Sequence, residues 1–332
     1  MQRKEFLRIG LSLTAPLALV IGAALTGCGG GSSGIVNPNP TPTGTPGPTP
    51  TPGPTPTPVP APANLVFVSN AGFNVDLYFL SPGGGAPLRL TSDSANDIQP
   101  SLSPDRRLVA YSSTFNGNPE IYVINVATRV EDRLTEDIGA TPPVDDSPVF
   151  SQAGDRIAWR STRGGVSNIW IMQVTGAAQT RLSNEAAGAF DPFWHPDGTR
   201  VGYVTTRNGA PRIVIKNVAG GAEQVLDVGP GPISHPRFNR TGERIVFSRG
   251  GPTAPTSQLF IVTVSSGAIT PGPTAGTRNF DPNWSSDGSR IIWAASGGVS
   301  TTPQIFSANP DGSGVQRLTN NTDSNTYPSA GG

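Results

Sequence analysis

Six polar side chains, each a few residues before a proline, are the strongest candidates for a binding site in this chain. They are Asp97, Asp146, Asp191, His235, Asp281 and Asp323, and the prolines that follow them are Pro100, Pro148, Pro192, Pro236, Pro282 and Pro328. Carboxylates gathered in one place could bind a cation, a basic peptide or a sugar. The offset from each group to its proline varies between one and five residues. The alternative is therefore that these side chains cap strands and bond neighbouring elements.

The six prolines belong to a repeat that runs through the chain from Asn64 onward. Successive prolines are 48, 44, 44, 46 and 46 residues apart. After each of the first five come a turn of the Ser-Pro-Asp-Gly type, an apolar strand, an alternating strand and a closing segment, which in most copies resembles Leu-Thr. A period in the forties made of short strands is typical of a β-propeller, with one four-stranded blade per repeat. The strand that contains the proline is predicted to be innermost, which would gather the six polar groups near one mouth of the axial channel.

The two ends of the repeat region complete each other. Leu65–Val68, Asp76–Leu80 and Leu90–Thr91 supply three strands without a leading proline strand, and Thr326–Ser329 supplies one proline strand without the rest. The sequence therefore predicts an all-β fold over residues 64–332, a six-bladed β-propeller closed by the C-terminal strand pairing into the N-terminal blade.

Turns, strands and closings together resemble the propeller of the TolB family. The matching pieces are the turns Ser103–Asp105, His195–Gly198 and Ser285–Gly288, the strands Ile157–Trp159 and Ile291–Trp293, and the Leu-Thr closings. The resemblance implies the propeller fold and an envelope protein. TolB proteins carry a small α/β domain before the propeller, whereas a Pro/Thr-rich tract occupies that place here.

The acidic turns and the two histidines are further residues whose types could bind a metal or take part in catalysis. The acidic turns contain Asp105, Asp155, Asp197, Glu243, Asp287 and Asp311. Such Asp-Gly or related turns could be calcium loops. Hairpin turns use the same residues, because Asp and Gly accept positive φ. His195 occupies a turn position, where packing is its expected role, and His235 precedes a proline. No nucleophile elbow, zinc-protease motif or phosphate loop is present in the sequence. We therefore expect no catalytic residue, no metal site and no cofactor.

The N-terminal residues form a targeting segment. Arg3, Lys4 and Arg8 precede an apolar run from Ile9 to Leu25, and Leu25-Thr26-Gly27-Cys28 resembles the bacterial lipobox. Residues 1–27 are thus predicted to be a lipoprotein signal peptide, and Cys28 is the predicted lipidation site and membrane anchor. An ordinary signal peptide or an uncleaved anchor helix is the alternative. With a single cysteine, no disulfide can form within one chain.

Residues 28–63 are predicted to form a linker, Gly/Ser-rich at first and then Pro/Thr-rich. Such a tract favours polyproline II and suits a spacer between membrane and domain, while a proline-ligand motif or a glycosylated stalk remain alternatives. Gly29, rather than Asp, follows the cysteine, which favours the outer membrane if the host has two membranes.

The net charge of the chain argues against nucleic acid as a partner. The chain has 23 basic and 23 acidic residues, so it has no basic surplus for nucleic acid. We predict a monomeric envelope lipoprotein, not an enzyme, whose propeller binds a protein, peptide or glycan. The alternatives are a metal-dependent uronate lyase and a passive structural lipoprotein.

Overall fold

Six four-stranded antiparallel sheets make up the fold. The computed structural model describes residues 64–72, 74–81, 85–136, 141–250, 254–298 and 301–331. The predicted signal peptide, Cys28 and the linker lie outside these described residues. Within them, no helix is long and apolar enough to cross a membrane.

Each blade consists of four consecutive strands, except that blade 1 takes its innermost strand from the C-terminal end. Blade 1 contains β1 (Leu65–Ser69), β2 (Asp76–Leu80), β3 (Leu88–Arg89) and β24 (Asn325–Ser329), and blade 2 contains β4 (Asp97–Leu102), β5 (Leu108–Ser113), β6 (Glu120–Asn125) and β7 (Glu131–Arg133). Blade 3 contains β8 (Asp145–Phe150), β9 (Arg156–Ser161), β10 (Asn168–Gln173) and β11 (Thr180–Arg181), and blade 4 contains β12 (Ala189–Trp194), β13 (Arg200–Arg207), β14 (Ala210–Asn217) and β15 (Glu223–Asp227). Blade 5 contains β16 (Ile233–Phe238), β17 (Arg244–Arg249), β18 (Gln258–Thr263) and β19 (Ile269–Pro271), and blade 6 contains β20 (Arg278–Trp284), β21 (Ile291–Ser296), β22 (Gln304–Ala308) and β23 (Gln316–Arg317).

The strands with the repeat prolines are innermost. β4, β8, β12, β16, β20 and β24 contact one another in a closed cycle, and β24 also pairs with β1 through Val66–Ser329, Val68–Thr326 and Ser69–Asn325. Proline suits this place because it has no N–H to donate and is tolerated at the edge of a sheet or at a bulge. The predicted six-bladed propeller and its closure by the C-terminal strand are confirmed.

The hydrophobic core is divided into six layers, one between each pair of neighbouring blades. In the layer between blades 3 and 4, for example, Ala158 and Ile169 pack against Trp194 and Tyr203. The second strand of a blade is covered on both faces, which is why its sequence is apolar without alternation, as in the fully buried β21.

The Ser-Pro-Asp-Gly turns satisfy their own polar groups. The carboxylate of Asp105 accepts hydrogen bonds from the Ser103 hydroxyl at 2.6 Å and from the Arg107 N–H at 3.1 Å. These bonds, the Ser103 hydroxyl first, lower the pKa of Asp105. His195 is buried in the equivalent turn of blade 4 and packs edge-on against Phe238, with 4.7 Å between ring centroids. Its place is that of a packing residue in a turn.

Candidate functional site

Six residues directly before the blade prolines form a ring around the axis. They are Gln99, Ser147, Asp191, His235, Asp281 and Tyr327, all with φ between 49° and 55°. In all six blades the pairing of the innermost strand with its neighbour is interrupted at this point, as between Ile98 and Ser101. A left-handed conformation at a residue that is not glycine costs roughly 1–3 kcal/mol and is maintained only when the surroundings enforce it. The same costly conformation therefore recurs in every blade.

Hydrogen bonds between neighbouring blades hold alternate ring residues. The Gln99 side-chain oxygen accepts the Ser147 N–H at 3.0 Å, Asp191 accepts the His235 N–H at 3.1 Å, and Asp281 accepts the Tyr327 N–H at 3.2 Å. Three acceptor side chains, from blades 2, 4 and 6, thus fix the backbone of the ring residue in the following blade. Part of the role of Asp191 and Asp281 is therefore structural.

Asp281, His235 and Tyr327 contact one another within the ring, and Asp281 is buried. Nδ1 of His235 lies 3.0 Å from Oδ1 of Asp281, and the His235 ring meets the Tyr327 ring edge-on with 5.3 Å between centroids. Burial raises the pKa of Asp281, although His235 and the Tyr327 N–H oppose the shift. The charge of Asp281, followed by burial, raises the pKa of Tyr327. The Tyr327 phenol therefore stays protonated at neutral pH and can donate a hydrogen bond.

The ring lines a small open pocket with a cavity volume of about 20 Å³, which we name the ring pocket. Its wall consists of the six ring residues, four prolines and one arginine. The prolines are Pro100, Pro148, Pro282 and Pro328, and the arginine is Arg237. A wider opening with a cavity volume of about 70 Å³, the funnel, lies among the Ser-Pro-Asp-Gly turns and is lined by Trp194, Phe238 and Trp284 among others. Of the described residues, only Arg237 lines both spaces.

The structure separates the six residues predicted from the sequence into two groups. Asp191, His235 and Asp281 meet in the ring pocket. Asp146 instead forms an ion pair with Arg160, which contacts both of its carboxylate oxygens. Asp97 is buried at the start of β4, and Asp323 lies in the loop before β24, where its backbone carbonyl accepts a hydrogen bond from Gln304 at 2.6 Å. A ligand role for the six stays a prediction.

Sequence reasoning missed three members of the ring, Gln99, Ser147 and Tyr327. The signal was present, because all six ring residues directly precede a repeat proline. In those three blades the predicted residues were instead acids at other distances from the proline, namely Asp97, Asp146 and Asp323. A fixed position within the repeat determines which side chains share a ring.

Asp97 provides a pH-dependent prediction. Burial raises its pKa to about 6, while the Ser113 and Thr91 hydroxyls oppose the shift. Because its folded pKa exceeds the unfolded value of about 4, the folded state binds the proton more tightly. Its contribution to stability is therefore present below pH 4 and is lost as the pH rises to about 6. We expect Asp97→Asn to be more stable than the native chain by roughly 1–3 kcal/mol at pH 7, an advantage that shrinks below pH 5.

Denaturant unfolding across pH 4–8 measures this difference. Asn279 and Asn325 occupy the equivalent position in blades 6 and 1, so asparagine fits the site. The control is Asp145→Asn at the same position of blade 3, which removes an ion pair with Arg163 at 2.8 Å and should lower stability. An advantage of Asp97→Asn that did not change with pH would contradict the assignment.

A family comparison agrees with this architecture. Residues 127–251 and 189–331 match the model of the TolB beta propeller domain, and together these matches cover more than half of the chain. The chain belongs to the TolB beta-propeller domain family. Family membership accounts for the repeated turns and closings, and it supplies no ligand for the ring pocket.

Individual relatives are similar over only part of their length. The Tol-Pal system protein TolB of Anaeromyxobacter dehalogenans is 30% identical over 111 residues, which is 33% of this chain and 24% of that protein. The matched region thus spans about a quarter of that relative. The crystal structure of TolB from Acinetobacter baumannii matches with a TM-score of 0.69 and 19% identity, over 81% of this chain and 67% of the other.

An enzyme shares the fold as well. Oligogalacturonate lyase in complex with manganese matches with a TM-score of 0.51 and 15% identity, over 79% of this chain and 74% of the other. At these identities the likeness concerns the fold alone. In the described part of the chain, no group of three or more His, Cys, Asp or Glu side chains is placed to hold a metal ion.

Proposed function

We propose that this chain is an envelope-anchored lipoprotein whose propeller binds a protein or peptide partner, or a glycan, at the ring pocket. Membership of the TolB beta-propeller family supports a binding module of the cell envelope, since relatives in the family carry the name Tol-Pal system protein. The proposal assigns the chain no catalytic residue and no cofactor, and it takes the protein to be a monomer.

The observation that carries the proposal is the strained ring. Six residues that are not glycine adopt positive φ next to one another around a single cavity. Strain of this kind concentrates where side chains must be presented to a ligand. Ser147 and Tyr327 add hydroxyl groups to this wall, and Asp191 adds a carboxylate that is partly exposed.

Site-specific photocrosslinking tests the binding site. Tyr327 would be replaced with the photoreactive residue p-benzoylphenylalanine in the full chain, expressed in its native envelope and irradiated. The matched control places the same residue at Val225, which is 43% exposed on the outer strand of blade 4. We expect one defined adduct, identified by mass spectrometry, from position 327 and none from position 225. Equal adducts from both positions, or none from 327, would reject the ring pocket as the binding site.

The anchor is tested separately. We expect Cys28→Ser to leave a precursor that is neither lipidated nor cleaved before residue 28, because no other thiol exists in the chain to take the lipid. Labelling with radioactive palmitate measures this directly. Label that still entered the variant would refute Cys28 as the anchor. For a host with two membranes, fractionation of the labelled native protein would test the proposed outer-membrane location.

A metal-dependent uronate lyase is the alternative function, and metal analysis distinguishes it. The proposed binding module should purify without a stoichiometric transition metal and should leave oligogalacturonate intact. A bound transition metal at one equivalent, together with cleavage of oligogalacturonate, would replace the binding proposal with the enzyme. A passive structural lipoprotein would give neither cleavage nor a photocrosslinked adduct.

A further inference from the structure

Arg237 stands at the boundary between the ring pocket and the funnel. It follows the repeat proline of blade 5 directly, and its guanidinium donates a hydrogen bond to the Pro236 carbonyl at 2.8 Å. The equivalent residues of the other blades are uncharged, namely Ser101, Val149, Phe193, Asn283 and Ser329. Ser101 and Ser329 use their hydroxyls to accept the N–H of Phe150 and Leu102, at 3.1 Å and 3.0 Å. Among the six blades, Arg237 is therefore the one charged side chain at this position of the repeat.

Ionisable side chains of both signs line the ring pocket. Its wall contains two acids, Asp191 and Asp281, and two bases, His235 and Arg237. His235 lies against Asp281, which leaves the carboxylate of Asp191 and the guanidinium of Arg237. In the described residues neither of these two has an ion-pair partner within 4.0 Å. The remaining charged groups nearby, Asp146 and Arg160, neutralise each other.

The field at Arg237 comes from the carboxylates around it. Burial lowers the pKa of Arg237, and the charges of Asp191 and Asp281 act in the opposite direction. An arginine side chain stays protonated under all physiological conditions. The permanent positive charge of Arg237 therefore interacts with the carboxylates of Asp191 and Asp281. A basic ligand in the ring pocket would need the same two carboxylates as its ion-pair partners.

We infer that Arg237 is a built-in counter-ion that sets the specificity of the ring pocket, excluding basic groups and leaving the pocket to an uncharged group that forms hydrogen bonds. The inference rests on the proposed function, because it concerns which ligand the same pocket accepts. An amide or hydroxyl group of a partner can use the Tyr327 and Ser147 hydroxyls and the Asp191 carboxylate without displacing a charge. A lysine or arginine of a partner meets the guanidinium of Arg237.

The test uses two small probes of similar size, n-butylammonium and n-butanol, and ligand-observed NMR on the full chain. We expect Arg237→Ser to bind n-butylammonium at least tenfold more tightly than the native protein, because the carboxylate of Asp191 then loses the cation whose charge acts on it. Affinity for n-butanol should stay the same. Arg237→Ser combined with Asp191→Asn should lose the gain. The control is Arg212→Ser. Arg212 pairs with Asp227 at 3.2 Å and does not line the ring pocket, so this variant should show no gain.

Arg237→Gln repeats the experiment with a neutral side chain of greater length, in case the serine variant does not fold. Circular dichroism checks the fold of each variant. Equal n-butylammonium affinity of the native protein and a folded Arg237 variant would overturn the inference, as would a gain that survives Asp191→Asn. No partner is needed for this measurement. A failed photocrosslink at position 327 together with the expected probe result would reject the proposed function and leave the charge selectivity standing.

Discussion

Ending the chain at Thr319 is expected to lower the free energy of unfolding by several kcal/mol and to promote aggregation. The deletion removes β24, the only strand that joins blade 1 to the axis among the described residues. Pro328, Ser329 and Ala330 are buried, and Ser329 also accepts the N–H of Leu102 in blade 2. Without β24 the inner edge of β1 has unpaired backbone groups, and such an edge is a template for association. A loss of this size is a large fraction of the stability of a typical domain.

Chemical unfolding and light scattering measure the two effects. The control deletes an equal length from the linker, residues 45–57, which supplies no strand to any blade of the described structure. We expect its unfolding curve to match that of the full chain. Melting of the Thr319-terminated chain within a degree or two of the full chain would show that ring closure contributes little.

The arrangement of the blades was predictable because it depends on local signals repeated many times. The proline period marked the innermost strands, since a strand with proline is tolerated at an edge and rarely in the middle of a sheet. Three strands at one end and one proline strand at the other implied the pairing of β24 with β1. Each individual strand or turn signal requires only the residues within one repeat, and comparing the repeats along the chain gives the period and the closure.

The site was predictable in part, and the missing part has a physical cause. Asp97 and Asp146 lie within three residues of a repeat proline, yet Asp146 turns to Arg160 and Asp97 lies buried at the start of β4. The bulge before the proline determines which side chain reaches the axis, and the positive φ at that residue is not visible in residue type. The set of ionisable side chains around Arg237 comes from blades 4, 5 and 6 together, which no single repeat reveals.

Packing next to the axis gives a second large effect, between Phe193 and Gly202. These residues are partners across β12 and β13, and a Cβ atom on Gly202 would lie 2.3 Å from Cζ of Phe193. Phe193 is 1% exposed, so its ring has no free space to enter. The preceding blade has Val149 and Ala158 at the same two positions. The large Phe193 side chain on β12 thus fits because Gly202 on β13 has no side chain.

We expect Gly202→Ala alone to cost about 2–4 kcal/mol through overpacking, and Phe193→Val alone to cost about 2–4 kcal/mol through the cavity it leaves. The double variant recreates the Val–Ala pair of blade 3, so it should be more stable than the sum of the two losses by at least about 2 kcal/mol. Denaturant unfolding of all four proteins gives this coupling energy. As the control, Gly198→Ala, where nothing lies within 4 Å of the added Cβ, should be additive with Phe193→Val. Additive losses for Phe193→Val and Gly202→Ala would mean that the residues on β12 and β13 contribute to stability independently.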